Sequence, residues 1–207
     1  MDTKKLTFII MMGALGNALF IISSVVAPIA QGIAVDFSLI AVFIAGVFGG
    51  PVAGLATGLI AGIGPGIMFG PAGNGGLLGL IGLPVGKALT GLVAGLIATR
   101  LKIADGNSSS WLGVPLTLTS YIPEGLFTYA YFTTLLPLFT EGNTVIPMAV
   151  VSTIMVKAVV EVVIISFLIA ALLGNKGFND FIRAYFCKPQ IAKPLIEAQE
   201  TRQPAPK

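Results

Sequence analysis

Long apolar runs, separated by short links that are polar or rich in glycine and proline, set the pattern of this chain. The first run, Leu6 to Ala27, follows Lys4 and Lys5. A secretory signal has an apolar region of only about 7 to 15 residues, so this run of about 22 reads as an uncleaved first membrane span. The link PIAQGIAVDFS (28–38) breaks the pattern and offers Asp36 or Ser38 as a cap for the next helix. Two short spans are expected next, over about 37–49 and 51–63, each roughly 20 Å long at 1.5 Å per residue. Either their ends extend into the flanking links, or the pair is partly sunk among the other helices. A single span over 39–63 is the alternative. The segment GPGIMFGPAGNGG (64–76) is too rich in glycine and proline for a regular helix and reads as a structured outer loop. Spans over about 77–99, 112–139 (interrupted by Pro115 and Pro123) and 145–173 follow. Residues 1–173 thus form one membrane domain. From 174 onward the chain is a polar tail, with FNDFIRAYF as a short interfacial helix and the remainder partly disordered.

From the second run through the third and into the 64–76 segment glycine recurs at every fourth position: Gly46, Gly50, Gly54, Gly58, Gly62, Gly66 and Gly70. In water such a helix loses about 1 kcal/mol per glycine relative to alanine. In a bilayer, small residues four apart let backbones approach closely. A period of four overshoots a helical turn by about 40° per step, so seven rungs cannot line one straight face. Two elements or one broken element must share them, with Pro51 and Pro65 as the break points. Gly46 to Gly62 then reads as a packing device, and Gly66 and Gly70 as loop glycines that supply conformational freedom.

Composition agrees with the membrane class: of 207 residues 55% are hydrophobic and 10% charged, with no histidine and one cysteine. The absence of histidine and the lone cysteine argue against haem, zinc or copper sites. Cys187 has no disulfide partner. The basic residues mark sidedness rather than nucleic-acid binding. With six spans and a cytoplasmic N-terminus, Lys4, Lys5, Arg100, Lys102 and the six basic residues of the tail face the cytoplasm, ten of the twelve. A five-span arrangement puts Arg100, Lys102 and the tail outside, against the positive-inside rule. The expected architecture is therefore an all-α membrane protein of six transmembrane helices with both termini cytoplasmic.

The other two basic residues, Lys87 and Lys157, lie inside spans together with Glu124 and Glu161. Ionisable groups at such depth are costly and face a cavity or one another. Lys157 and Glu161 are four apart and share a helix face. These four residues read either as a self-neutralising network or as a site for a polar ligand. Tyr121, Tyr129 and Tyr131 share a span with Glu124 and bring rings that stack and hydrogen-bond, although Tyr129 and Tyr131 also suit an interfacial belt. Asn74, among the glycines of 64–76, is a further candidate ligand contact. Asp36 and Glu141 read as isolated outer-loop acids. No catalytic residue set emerges: GIGPGIMFG lacks the lysine and the context of a phosphate loop, and a serine triad lacks its histidine.

Four stretches carry a family resemblance: small residues four apart around Ala14-Leu15-Gly16-Asn17-Ala18, the entry DFSLIAVFIAG, the segment GGPVAGLATGLIAG, and the helix GKALTGLVAGLIATR. Together they resemble the membrane-embedded S-components of energy-coupling factor (ECF) transporters, over about residues 11–100. The resemblance implies a non-enzymatic subunit of the cell membrane that captures a vitamin or other small organic micronutrient from outside. Such a subunit delivers its ligand by docking on a transmembrane T-component driven by two cytoplasmic ATPases, with ATP used by those partners and no cofactor in this chain. It assigns docking to Ala14 and Ala18 and ligand contact to Asn74, Lys87, Tyr121, Glu124, Tyr129, Lys157 and Glu161. Cobalt and nickel members use an N-terminal histidine, which is missing here, so an organic ligand and no metal site are expected. The alternative is a multi-span sensory or interaction module of the kind partnered with histidine kinases.

Overall fold

The computed structural model describes residues 3–26, 28–30, 33–34, 36–72, 76–103, 109–139 and 147–186. Helix α1 (Thr3–Val26) leads through an antiparallel ribbon, β1 (Pro28–Ala30) with β2 (Ile33–Ala34), into α2 (Ser38–Gly49), α3 (Pro51–Ala61), α4 (Ile63–Phe69) and α5 (Gly76–Arg100). After a 3₁₀ turn at Ser110–Leu112, α6 (Gly113–Ala130) runs through a π turn (Tyr131–Leu135) into α7 (Leu136–Phe139). Then come α8 (Met148–Gly174) and α9 (Lys176–Phe186). Among the described residues, four helical stretches are long and apolar enough to cross a membrane: Thr3–Val26, Pro51–Phe69, Gly76–Arg100 and Met148–Gly174. The chain is a helical, multi-pass membrane protein.

Helix α2 occupies the middle of the bundle. It is apolar all round, as a fully enclosed helix must be, and every residue from Ser38 to Phe48 except Ile40 is buried. Its 12 residues are too few for a bilayer of about 30 Å. Instead α1, α3, α5 and α8 pack around it. Phe8 and Met12 of α1, Ala94 and Ala98 of α5, and Val162, Ile165 and Ile169 of α8 join its side chains in one core.

The glycine ladder is the seam between α3–α4 and α5. A Cβ on Gly54 would strike the carbonyl of Gly91, one on Gly58 the backbone of Lys87, one on Gly62 that of Pro84, and one on Gly66 the carbonyl of Leu80. Partners step backward along α5 as the ladder advances, so the two helices are antiparallel. Gly91 and Gly95 reciprocate against Gly54 and Pro51. The drift of a period-four ladder is absorbed by the two breaks. At Gly50, φ is +81°, a region open to glycine, and Pro51 starts α3. The second break, at Gly62–Ile63, separates α3 from α4.

The structure corrects the reading of 64–76 as a loop. Ile63–Phe69 is helical and extends the third apolar stretch to Phe69. Pro65 sits within the first turn of α4, where its missing N–H costs least. Gly70 is a packing glycine as well, since a Cβ there would meet the backbone of Gly66 and Leu80. The assignment of Gly66 and Gly70 to conformational freedom therefore fails; both belong to the seam.

Asn17 holds the second break open. In an unbroken helix the N–H of Gly64 would donate to the carbonyl of Ile60. Here the Asn17 carboxamide takes both places: Gly64 N donates to Oδ1 at 2.7 Å, and Nδ2 donates to Ile60 O at 2.7 Å. A side chain wedged into the hydrogen-bond ladder is a recognised cause of a helix kink. Asn17→Leu is expected to leave these two groups unpaired and cost about 1–3 kcal/mol. Thermal unfolding in detergent would register the loss, with Asn17→Asp recovering part of it through the Gly64 N–H bond.

Candidate functional site

Four elements bring ionisable side chains to one place in this apolar interior. Lys87 of α5 reaches Asp36, just ahead of α2, with Nζ 2.6 Å from Oδ2. The main-chain N–H of Asp36 donates to Oε1 of Glu161 on α8 at 2.6 Å, and the same carboxylate pairs with Lys157 at 3.0 Å. Glu124 of α6 accepts a hydrogen bond from Thr90 of α5 at 2.5 Å and lies within electrostatic reach of Lys87. Lys87, Asp36, Glu161 and Lys157 thus form one continuous chain, with Glu124 beside it.

Local sequence explains the placement. Gly58 has no side chain to hold off the Lys87 backbone, so α5 approaches closely enough for the lysine to reach Asp36. Gly86 gives Glu124 its room: a Cβ there would stand 3.3 Å from the glutamate Cγ. Asp36 also accepts from the N–H of Ser38 through Oδ1 at 2.9 Å, which fixes the start of α2. Burial opposes ionisation of Asp36, but the Lys87 ammonium and the bonds from Lys87 and Ser38 outweigh it. Its carboxyl is held below the usual carboxylate range. The Asp36–Lys87 pair therefore persists to a pH lower than that at which a free aspartate takes up its proton.

Lys157 and Glu161 also line a cavity of about 480 Å³, whose described wall is the α8 face of Ser152, Thr153, Val156, Val160 and Ile164. Val156, Val160 and Ile164 on that wall are each more than half exposed, so the cavity is open along α8; its volume is in the range of small-molecule sites. A carboxylate and an ammonium already paired with each other can exchange partners with a ligand that carries either charge or both. Three carboxylates against two ammonium groups leave the cluster one negative charge in excess when all are ionised.

The other expected site residues distribute as follows. Tyr121 is half-buried and within electrostatic reach of Glu124, Glu161 and Asp36. Tyr129 is exposed on α6. Tyr131 is buried where α6 passes into the π turn, over Gly82 and edge-on to Phe132, and its hydroxyl has no partner among the described residues. Asn74 and Glu141 lie outside the described residues. Ala14 and Ala18 are exposed along α1, whereas Gly13 and Gly16 face the bundle.

Asp36 is the residue that sequence reasoning set aside, as an isolated loop acid. The signal was present: it is the one charge in the link 28–38. It went unused because two buried lysines and two buried glutamates already balance. Comparison of the chain with protein-family models, with curated proteins and with solved structures finds no match.

Proposed function

We propose that this chain is the substrate-capture subunit, or S-component, of an ATP-driven importer of the energy-coupling factor type, serving a vitamin or similar small organic micronutrient. The observation that carries the reading is the charge chain Lys87–Asp36–Glu161–Lys157, which joins α5 and α8 through the link before α2, and ends at a cavity of ligand size. Buried charges in membrane helices mark substrate pathways and binding sites by default. Ligand contacts fall to Lys157 and Glu161 first, with Lys87, Glu124 and Tyr121 behind them; Asn74 and Tyr129 remain candidates from the family resemblance. No side chain here is assigned a catalytic role.

In this reading α1, α2, α3–α4, α5, the helical run 113–139 and α8 are six passes of the cell membrane with both termini cytoplasmic. Arg100 and Lys102 at the end of α5, and Lys176 and Arg183 of α9, then share the inner side, as the positive-inside rule asks. Docking on the T-component falls to α1. Its outward face combines Ala14 and Ala18 with Leu15 and Met11, and small side chains there permit close helix approach.

Affinity-tagged protein recovered from native membranes should bring with it one further membrane protein and two ATPases. Ala18→Trp and Ala14→Trp should lose these partners while the variant itself remains folded. A histidine kinase in place of the ATPases would support a sensory module instead, and ATPases retained by both variants would remove α1 as the docking helix.

A further inference from the structure

At the end of the bundle where α5 finishes and α9 begins, a second cavity of about 350 Å³ lies between Ile103, Ser109, Ser110, the end of α8 and α9. Its polar lining comes from Ser109, Ser110, Lys176, Asn179, Asp180 and Arg183. Two buried polar atoms there lack partners among the described residues: Nε of Arg183, a donor, and Oδ1 of Asn179, an acceptor. Asn179 is only 9% exposed, and its Nδ2 is committed to Leu173 O at 2.7 Å, which holds the unpaired oxygen in place. A buried donor and a buried acceptor without partners, on two side chains that line one cavity, call for a group that supplies both functions. Ser110 and Gly174 close one side of this cavity and also line an apolar groove of about 240 Å³ formed with Trp111, Phe167, Ala170 and Ala171. A polar pocket thus opens onto an apolar groove that runs along the membrane face of α8.

We propose that this pair of cavities is a binding site for one anionic phospholipid with a hydroxyl-bearing headgroup, of the phosphatidylglycerol class. The phosphodiester accepts from Arg183 and Lys176, a headgroup hydroxyl donates to Asn179 Oδ1, and an acyl chain lies in the groove beside Trp111 and Phe167. The charge count suits the lipid, and the groove separates it from free phosphate. Lys176 and Arg183 against Asp180 leave one net positive charge, which matches a phosphodiester monoanion, and only a lipid also fills the apolar groove. The surroundings place the site at the membrane interface: Trp111 and Phe181 are exposed nearby, and aromatic rings of this kind gather at headgroup level. α9 itself turns Phe178 and Ile182 inward to the core and Phe181 outward, the disposition of an amphipathic interfacial helix.

Native mass spectrometry of the full chain, delipidated in detergent and titrated with phosphatidylglycerol, phosphatidylcholine or inorganic phosphate, tests this. One phosphatidylglycerol per chain should be retained and should raise the melting midpoint, with phosphatidylcholine at least tenfold weaker and inorganic phosphate without effect. Arg183→Gln should weaken phosphatidylglycerol at least tenfold. Ala171→Phe, which fills the groove from the exposed face of α8 and leaves the polar pocket alone, should do the same, so the outcome does not rest on one variant's folding. Equal retention of both lipids, displacement by inorganic phosphate, or undiminished phosphatidylglycerol binding in Ala171→Phe would each overturn the assignment.

Discussion

Gly54→Leu should leave no recoverable folded protein. The space a side chain would need at position 54 is filled by the carbonyl of Gly91 and the backbone of Gly46, and neither is a flexible group that can swing aside. Overpacking commonly costs about 1–3 kcal/mol when side chains give way; here two helix backbones must separate, and the seam includes Gly58, Gly62 and Gly91 on either side. The loss is expected to reach at least about 3 kcal/mol, enough to abolish a monodisperse peak in size-exclusion chromatography after detergent extraction. Gly125→Ala is the matched control. A Cβ there meets only the Tyr121 ring at 3.4 Å, so the gain of about 1 kcal/mol in helix propensity should leave that variant as stable as the parent or more so. A normal elution profile for Gly54→Leu would mean that α3 and α5 do not meet along the ladder.

Lys87→Met should be nearly as damaging, for an electrostatic reason. It removes the only cation that pairs with Asp36 among the described residues and strips Glu124 of the larger of its two compensating charges. Breaking a buried pair by deleting one partner costs about 3–5 kcal/mol, because the other charge is left uncompensated. Lys87→Met combined with Asp36→Asn should therefore be more stable than Lys87→Met alone, despite carrying an additional substitution. Thermal melting of the two single variants and the double variant gives the coupling directly. Additive losses would show that Lys87 and Asp36 are not a pair.

Much of the helical layout was legible in the sequence because bilayer length and apolar run length constrain each other. α1, α5 and α8 begin and end within a few residues of the runs over 6–27, 77–99 and 145–173. The segment 64–76 was misread for a physical reason. Glycine and proline density signals a loop in water, but in a membrane protein the same residues are tolerated in a helix that another helix covers. Once α5 is known to lie against Gly66 and Gly70, their identity follows from packing. The same holds for the charge cluster. Lys157 and Glu161 were readable as a pair from their spacing on one helix. The Asp36–Lys87 and Asp36–Glu161 links depend on how the chain returns after α1, which no local pattern encodes. Asn17 was visible within the small-residue stretch of α1, yet its wedge between Ile60 and Gly64 required the kink to be known.

In the proposed function the charge chain holds a small organic ligand at the Lys157–Glu161 cavity. The most direct measurement is mass spectrometry of small molecules retained by the full chain after mild detergent extraction, set beside Lys157→Met prepared in parallel. Lys157 is partly exposed and pairs with one carboxylate at the cavity wall, so its loss should be tolerated structurally better than that of Lys87. A single polar organic compound should be retained in near-stoichiometric amount by the parent and reduced at least tenfold in a folded Lys157→Met preparation. Retention of the same compound in equal amount by both proteins would contradict the account.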